Sequence, residues 1–271
     1  MSKILVIPDL HGRKFWRQAI ADNIDKVDKV IFLGDYLDLY PEEINEHQEL
    51  MECNDFYDCV GLLNMLNDII SLKKNDPDKY ILLCGNHTCS YIWSKFNAAS
   101  RTDYQNWEKY HKFFLENLNL FNLVWIENDV IFSHAGISEG WANRVWEYLE
   151  FPENELSSIK EIAEVLEDTP LSNFTEEYIT IISDISRERG GWFIYGSCEW
   201  ADLIEHIDTK NSTRDNIIPK EKEENIFQVF GHTQLKDEPL ITNKWACLDC
   251  RKAFIIDTNT HIIENGSNNS L

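Results

Sequence analysis

Lys29-Val30-Ile31-Phe32-Leu33-Gly34-Asp35-Tyr36-Leu37-Asp38 sets a short apolar run against a glycine and two acids. An apolar run of this length, closed by a turn residue, predicts a buried strand. The same design stands upstream, where Lys3 to Pro8 runs into Asp9-Leu10-His11-Gly12. It recurs downstream, where Tyr80 to Cys84 runs into Gly85-Asn86-His87. Helical stretches lie between, at roughly 13–24 and 48–74. Strand, helix, strand, helix, strand predicts an α/β sheet with mainly parallel strands.

Beyond residue 88, Trp107, Tyr110, Phe113, Phe114 and Leu118 recur at near-helical spacing. Two strands are predicted at about 122–126 and 129–133, the second running into Ser133-His134-Ala135-Gly136. Residues 138–225 read as helical and acidic, with a sheet pattern only near 192–195. Strands return at about 226–230, 244–248 and 252–257, with a short one near 260–263. The first of these leads into Gly231-His232-Thr233. The polar tail from Glu264 to Leu271 is expected to fray. With no repeat and no low-complexity linker, residues 1–271 read as one domain with a mostly helical insert at about 138–225.

Asp plus Glu is 47 and Lys plus Arg is 25, a formal net charge of −22. Such a surface repels phosphate backbones, which argues against duplex nucleic acid and anionic membranes as partners. A small phosphorylated substrate stays possible, because a metal site reverses the sign locally. Hydrophobic residues at 43% suffice for a packed core and exclude a wholly disordered chain. The apolar residues 4–7 end at Pro8, too short for a signal-peptide core, and no apolar run is long enough to span a bilayer. The expected location is cytoplasmic. Seven cysteines, an odd number, then read as reduced thiols. Cys247-Leu248-Asp249-Cys250 is a lone C-x-x-C, expected to be two residues of a strand rather than a zinc or redox motif.

Five strand ends therefore carry metal-type ligands beside a glycine or a glycine-like turn: Asp9 and His11, Asp35 and Asp38, Asn86 and His87, His134, and His232. In open α/β sheets, ligands bind at the carboxyl ends of the strands. Carboxylate, imidazole and amide oxygen together suit borderline divalent metals such as Mn, Fe or Zn. The set exceeds the needs of one four-coordinate ion, so two ions are expected. Each element alone is weak; Asp9, for instance, equally reads as a helix cap. The ordered set is what carries the signal.

That ordered set resembles the calcineurin-like metallophosphoesterase superfamily. It is most similar to the phosphoprotein phosphatase branch, which holds serine/threonine phosphatases and diadenosine tetraphosphatases. The resemblance is strong over 1–137 and 226–260 and weak over 138–225. It implies a four-layer αββα sandwich, an α/β fold of two mixed sheets flanked by helices. It also implies that Asp9 and His11 hold a first metal, that Asp35 bridges two, and that Asn86, His134 and His232 complete the second. His87 matches the general acid, and Asp38 the carboxylate that orients it. The implied reaction is hydrolysis of a phosphomonoester by attack of a metal-bound hydroxide, with Mn the favoured metal and Fe or Zn the alternatives.

The departures concern substrate recognition. The family's phosphate-holding arginine and the glycine after it are here Leu39 and Tyr40, and the Glu after Gly-Asn-His is Thr88. The first glycine is Pro8, and the middle of His-Gly-Gly is Ala135. Arg189, followed by Gly190-Gly191, is the candidate replacement for the missing clamp, with Arg187 the fallback. An exposed charged helix end capped by glycine explains the same residues. Glu199-Trp200 reads as core packing more than site, with Trp192 and Trp200 the tryptophans able to line a substrate cleft. Substrates of three kinds fit: a phosphorylated small molecule, a nucleotide or a phosphoprotein. A nucleotide phosphodiester or phosphoanhydride hydrolase is the second reading, and a non-catalytic binding scaffold the third.

Overall fold

The opening runs form β1 (Lys3–Ile7), β2 (Lys29–Phe32) and β3 (Tyr80–Leu83) in the computed structural model, which describes residues 2–40, 59–148, 159–206 and 226–267. These strands are parallel, with Leu5 opposite Val30 and Ile31 opposite Ile81. The sheet extends through β4 (Phe121–Asn122), parallel to β3, and through β10 (Phe254–Asp257) and β11 (Ile263–Asn265), both antiparallel, in the order β11-β10-β1-β2-β3-β4. A second sheet holds β5 (Val124–Glu127), β6 (Val130–Ser133), β7 (Phe227–Phe230), β8 (Leu240–Ile241) and β9 (Trp245–Cys247), in the order β5-β6-β7-β9-β8.

Period-two alternation sorts these strands' side chains into two cores. Ile4, Val6, Ile31, Ile81 and Leu83 meet Val130, Phe132, Phe227, Val229 and Ala246 between the sheets. The alternate residues Leu5, Ile7, Val30, Phe32 and Leu82 pack in a second cluster with Trp16, Leu66 and Ile69. Trp16 lies on helix Phe15–Asn23, and Leu66 and Ile69 on helix Cys59–Asn75. Helices Glu139–Tyr148 and Ile159–Asp168 contribute Trp141, Ile162 and Leu166 beside Val124 and Ile131 of the second sheet. Two sheets back to back with helices outside give the expected four-layer αββα sandwich. Each fully buried Leu, Ile, Val or Phe contributes on the order of 1.5–3 kcal/mol, so the strands are held chiefly by these two cores.

Several expectations are corrected. The single strand at 122–126 is two: β4 pairs in the first sheet and β5 in the second, with buried Leu123 between them. An apolar run cannot show from within itself that the chain changes sheets there. Near 192–195 only an isolated bridge forms, Ser186 to Phe193, and β8 was not foreseen because two exposed residues make no pattern. The last strand lies at Ile263–Asn265 rather than 260–263, so the start of the polar tail is paired. Residues 48–58 of the second helical stretch and 268–271 of the tail lie outside the described residues. Of the C-x-x-C pair, Cys247 ends β9 and Cys250 sits in the turn beyond; all six described cysteines are free and buried.

Within 138–206 the described elements are helical, including Glu176–Ile182, whose N-cap Thr175 accepts from Tyr178 N–H. Arg144 on helix Glu139–Tyr148 lies 3.1 Å from the Asp184 carboxylate and stacks over Phe193. That contact pins the loop carrying Arg187 and Arg189. Burial pushes the Asp184 carboxyl up to about 7, more than Arg144 lowers it. An unfolded Asp releases its proton near about 3.9, so between about 4 and 7 the folded chain binds more protons than the unfolded one. Stability therefore falls as pH rises through that window. Urea midpoints of wild type and Asp184→Asn from pH 4 to 8 should diverge accordingly, with wild type losing ground toward pH 7. A flat difference would refute it.

Candidate active site

Backbone hydrogen bonds draw the strand ends together. His11 and Gly12 donate to the Asp35 and Tyr36 carbonyls at 2.7 and 2.9 Å, and Gly231 donates to the His134 carbonyl at 2.8 Å. The turns are sharp enough to place four non-glycine residues in the left-handed region: His11 and Asp35 at φ 45°, Asp38 and His232 at φ 63°. Each such residue costs on the order of 1–3 kcal/mol, so the surrounding structure over-determines them. Glycine is required where the carboxylates are approached. A Cβ on Gly85 would come within 2.1 Å of Asp35 Oδ1, and one on Gly231 within 2.2 Å of Asp9 Oδ1.

Two ligand groups form around one carboxylate. His11, Asp35 and His87 offer atoms within 4.8 Å of one another, and so do Asp35, His134 and His232. His11 Nδ1 lies 2.8 Å from the Leu37 carbonyl, and His134 Nδ1 lies 3.0 Å from the Leu33 carbonyl. A carbonyl only accepts, so both Nδ1 atoms carry a proton. His11 Nε2 then faces Asp35 Oδ2 at 3.7 Å. His134 Nε2 lies 3.0 Å from Asn86 Oδ1, 3.0 Å from His232 Nδ1 and 3.3 Å from Asp35 Oδ2. Asp9 belongs to neither group as placed; its carboxylate accepts the His232 backbone N–H at 3.0 Å.

His87 stands beside His11, their ring centroids 4.9 Å apart. Its Nδ1 is 2.6 Å from Asp38 Oδ2, whose second oxygen accepts the Tyr91 hydroxyl, also at 2.6 Å. Its backbone N–H donates to Asp35 Oδ1 at 3.0 Å, and its Nε2 lies 4.0 Å from Asp35 Oδ2. An imidazole held this way through Nδ1 has a fixed orientation.

The buried charges are strongly coupled. Burial opposes ionisation of Asp35, but His134 and His87 prevail and hold its carboxyl well below the usual range. Burial likewise opposes charge on His134, yet Asp35 and Asp9 raise it to about 10. Burial, and then His87 for His11 or Arg189 for His232, drives those two imidazoles well below their ordinary value. Burial raises Asp9, and it raises Asp38 despite the bond from His87.

These residues fit a pair of divalent ions. Two imidazoles are neutral, Asp35 is ionised, and His232 Nε2 is buried without a hydrogen-bond partner. Nitrogen and oxygen donors of this kind suit borderline metals. The proton on His134 would have to leave on loading, which weakens metal binding at low pH.

A cleft of about 310 Å³ opens over the cluster, lined by His11, Asp35, Asn86, His87, His232 and Arg189, with Tyr40 and Trp200 among the remaining walls. Arg189 reaches it from the turn Arg187–Arg189, which Gly190 closes at φ 84°. Its Nε pairs with Asp202 Oδ2 at 2.8 Å, and its Nη2 donates to the Thr233 hydroxyl. Arg187 is exposed and does not line the cleft. Of the two tryptophans read as able to line the cleft, Trp200 does so and Trp192 is exposed; Tyr40 was not read as a site residue. Glu199 is fully buried, pushed up to about 8 by burial, and accepts from the Cys89 and Cys198 thiols. Glu199 has no local signal, since only the folding of distant segments brings it near Asp35.

The sequence pattern of the calcineurin-like phosphoesterases matches residues 2–233. Among solved structures, the cold-active protein-tyrosine phosphatase of a psychrophile, Shewanella sp., superposes with a TM-score of 0.57 at 14% identity, covering 98% of this chain and 80% of that one. A second structure of a cold-active protein tyrosine phosphatase gives 0.52 at 16% identity, over 98% and 78%. At such identities the likeness is one of fold. No curated protein sequence matches the chain. No helix among the described residues is long and apolar enough to cross a membrane. The matched span takes in the whole first ligand group and the histidines of the second, and the chain belongs to the calcineurin-like phosphoesterase family, a hydrolase that works with divalent metal ions.

Proposed function

We propose that the protein is a dinuclear metal-dependent phosphomonoesterase, a single cytoplasmic domain with Mn as the favoured metal. One observation carries this reading: Asp35 is common to a group with His11 and His87 and a group with His134 and His232, and His87, tied to Asp38 through Nδ1, lines the same cleft. Asp9, His11 and Asp35 would hold one ion, and Asp35, Asn86, His134 and His232 the other. When bound, the ions supply Lewis acidity and an activated water. His87, held through Nδ1, presents Nε2 to the cleft and gives its proton to the leaving oxygen. Asp38 keeps that imidazole aimed. Arg189 binds a phosphoryl oxygen; a guanidinium has five N–H donors, and Asp202 and Thr233 leave others for substrate.

Tyr40 and Trp200 in the cleft wall favour one second reading, a nucleotide whose base stacks there. Phosphate release from a phosphopeptide, an alkyl phosphomonoester and a dinucleoside polyphosphate, each with Mn, separates the two. Monoester turnover supports the proposal; cleavage of the polyphosphate alone supports the nucleotide reading, and no turnover leaves a binding scaffold. In the same assay Arg189→Ala should weaken inorganic phosphate inhibition about ten- to a hundredfold with metal content unchanged. Unaltered inhibition would remove Arg189 from the site.

A further inference from the structure

Tyr40 occupies the place where the related sequences carry glycine, directly after the position of their phosphate-holding arginine. Leu39, which replaces that arginine, is turned away: its side chain packs so close to Gly12 that a Cβ there would meet Leu39 Cγ at 2.9 Å. Tyr40 instead lines the cleft, its ring edge-on to His11 with centroids 4.8 Å apart.

Two arginines lie against that ring. The Arg101 guanidinium lies 3.8 Å from the ring centroid and the Arg13 guanidinium 5.5 Å. Each is fixed to the backbone of a strand-end loop. Arg101 Nε donates to the Asp38 carbonyl at 3.3 Å, and Arg13 Nη1 donates to the Asp9 carbonyl at 3.1 Å. Arg101 also donates to the hydroxyl of Ser100, another cleft residue, and has a left-handed backbone at φ 60°. A non-glycine residue in that region marks a place where local comfort has yielded to position.

The Tyr40 hydroxyl has no hydrogen-bond partner among the described residues, and a phenol O–H is a donor.

We propose that Tyr40 is a substrate-binding residue whose hydroxyl donates to an oxygen of the bound phosphoryl group, its ring held by cation–π contact with Arg101 and Arg13. Tyrosine in the glycine position thus takes over the contact that the lost arginine would have made. The assignment rests on the phosphoesterase reading of the same cleft.

Tyr40→Phe keeps the ring against its arginines and removes only the donor. In metal-loaded protein, the Kd for inorganic phosphate, by titration calorimetry, should rise about ten- to a hundredfold. The KM for nitrophenyl phosphate should rise with it, and elemental analysis should show unchanged metal. Wild-type phosphate binding matched by an equal affinity in Tyr40→Phe would overturn the Tyr40 assignment alone. A wild-type protein that, with metal loaded, bound no phosphate would overturn the functional reading and this assignment together. Loss of metal in Tyr40→Phe would also overturn it, since the residue would then support the metal ligands rather than substrate.

Discussion

Asp35→Asn is expected to abolish dinuclear metal loading. The variant keeps the shape of the side chain, but the carboxylate that both ligand groups share becomes a neutral amide. A bridging carboxylate offers an anionic oxygen to each of two like charges, and an amide offers one neutral oxygen. Altering partners outside the ligand set already costs ten- to a hundredfold in metal affinity, so the loss at a shared ligand should be at least that large. Elemental analysis after equilibration at limiting metal measures it directly, and two ions per chain in the variant would contradict the bridging role. A second readout needs no metal. Asp35 and Asp9 together raise His134 to about 10 against the opposing effect of burial. Without the Asp35 charge, the His134 imidazole of the metal-free variant should titrate lower, as an imidazole NMR pH series would show. An unmoved titration would mean that Asp35 does not govern the charge of the cluster.

His87→Ala should leave metal bound and lower turnover by about a hundred- to ten-thousandfold, the usual contribution of a positioned proton donor. His87 shares a ligand group with His11 and Asp35, but its Nδ1 is committed to Asp38 at 2.6 Å, and Nε2 alone is left to face the cleft. A proton donor matters most for a leaving group that departs poorly. The loss should therefore be steeper for an alkyl phosphate than for nitrophenyl phosphate. Equal losses for the two esters, or a fall in metal content, would assign His87 to metal binding instead. Asp38→Asn should show the same leaving-group dependence in weaker form, because it disturbs the aim of the imidazole without removing it.

Which parts of this site were legible in advance depends on whether their signal is local. Gly34-Asp35 and Gly85-Asn86 follow apolar runs, and a strand that ends in a turn places the next residue at the sheet edge whatever the rest of the chain does. His11, His134 and His232 were legible for the same reason. Arg189 was a weaker inference, drawn from glycines beside a cation, and its neighbour Arg187 carried much the same local signal. The two parted only in the folded chain, where Asp202 and Thr233 hold Arg189 at the cleft and Arg187 stays exposed.

The sequence by itself determined the alternation of strands and helices and the order of the strand ends that carry Asp, His and Asn. Both are written in residues adjacent along the chain, so periodicity and turn chemistry suffice to read them, whereas the missing arginine at Leu39 is read only against the family that the sequence resembles. Only the tertiary structure decided that 121–127 divides between two sheets, that Asp9 turns to the His232 backbone, and that Tyr40 lies against Arg13 and Arg101 beside His11. Those outcomes depend on residues distant along the chain. Arg101 is far in sequence from Tyr40, and only the folded chain brings its guanidinium within 3.8 Å of the ring. A contact of that kind leaves no pattern in either partner's own neighbourhood, because the free energy that selects it belongs to the core that holds both.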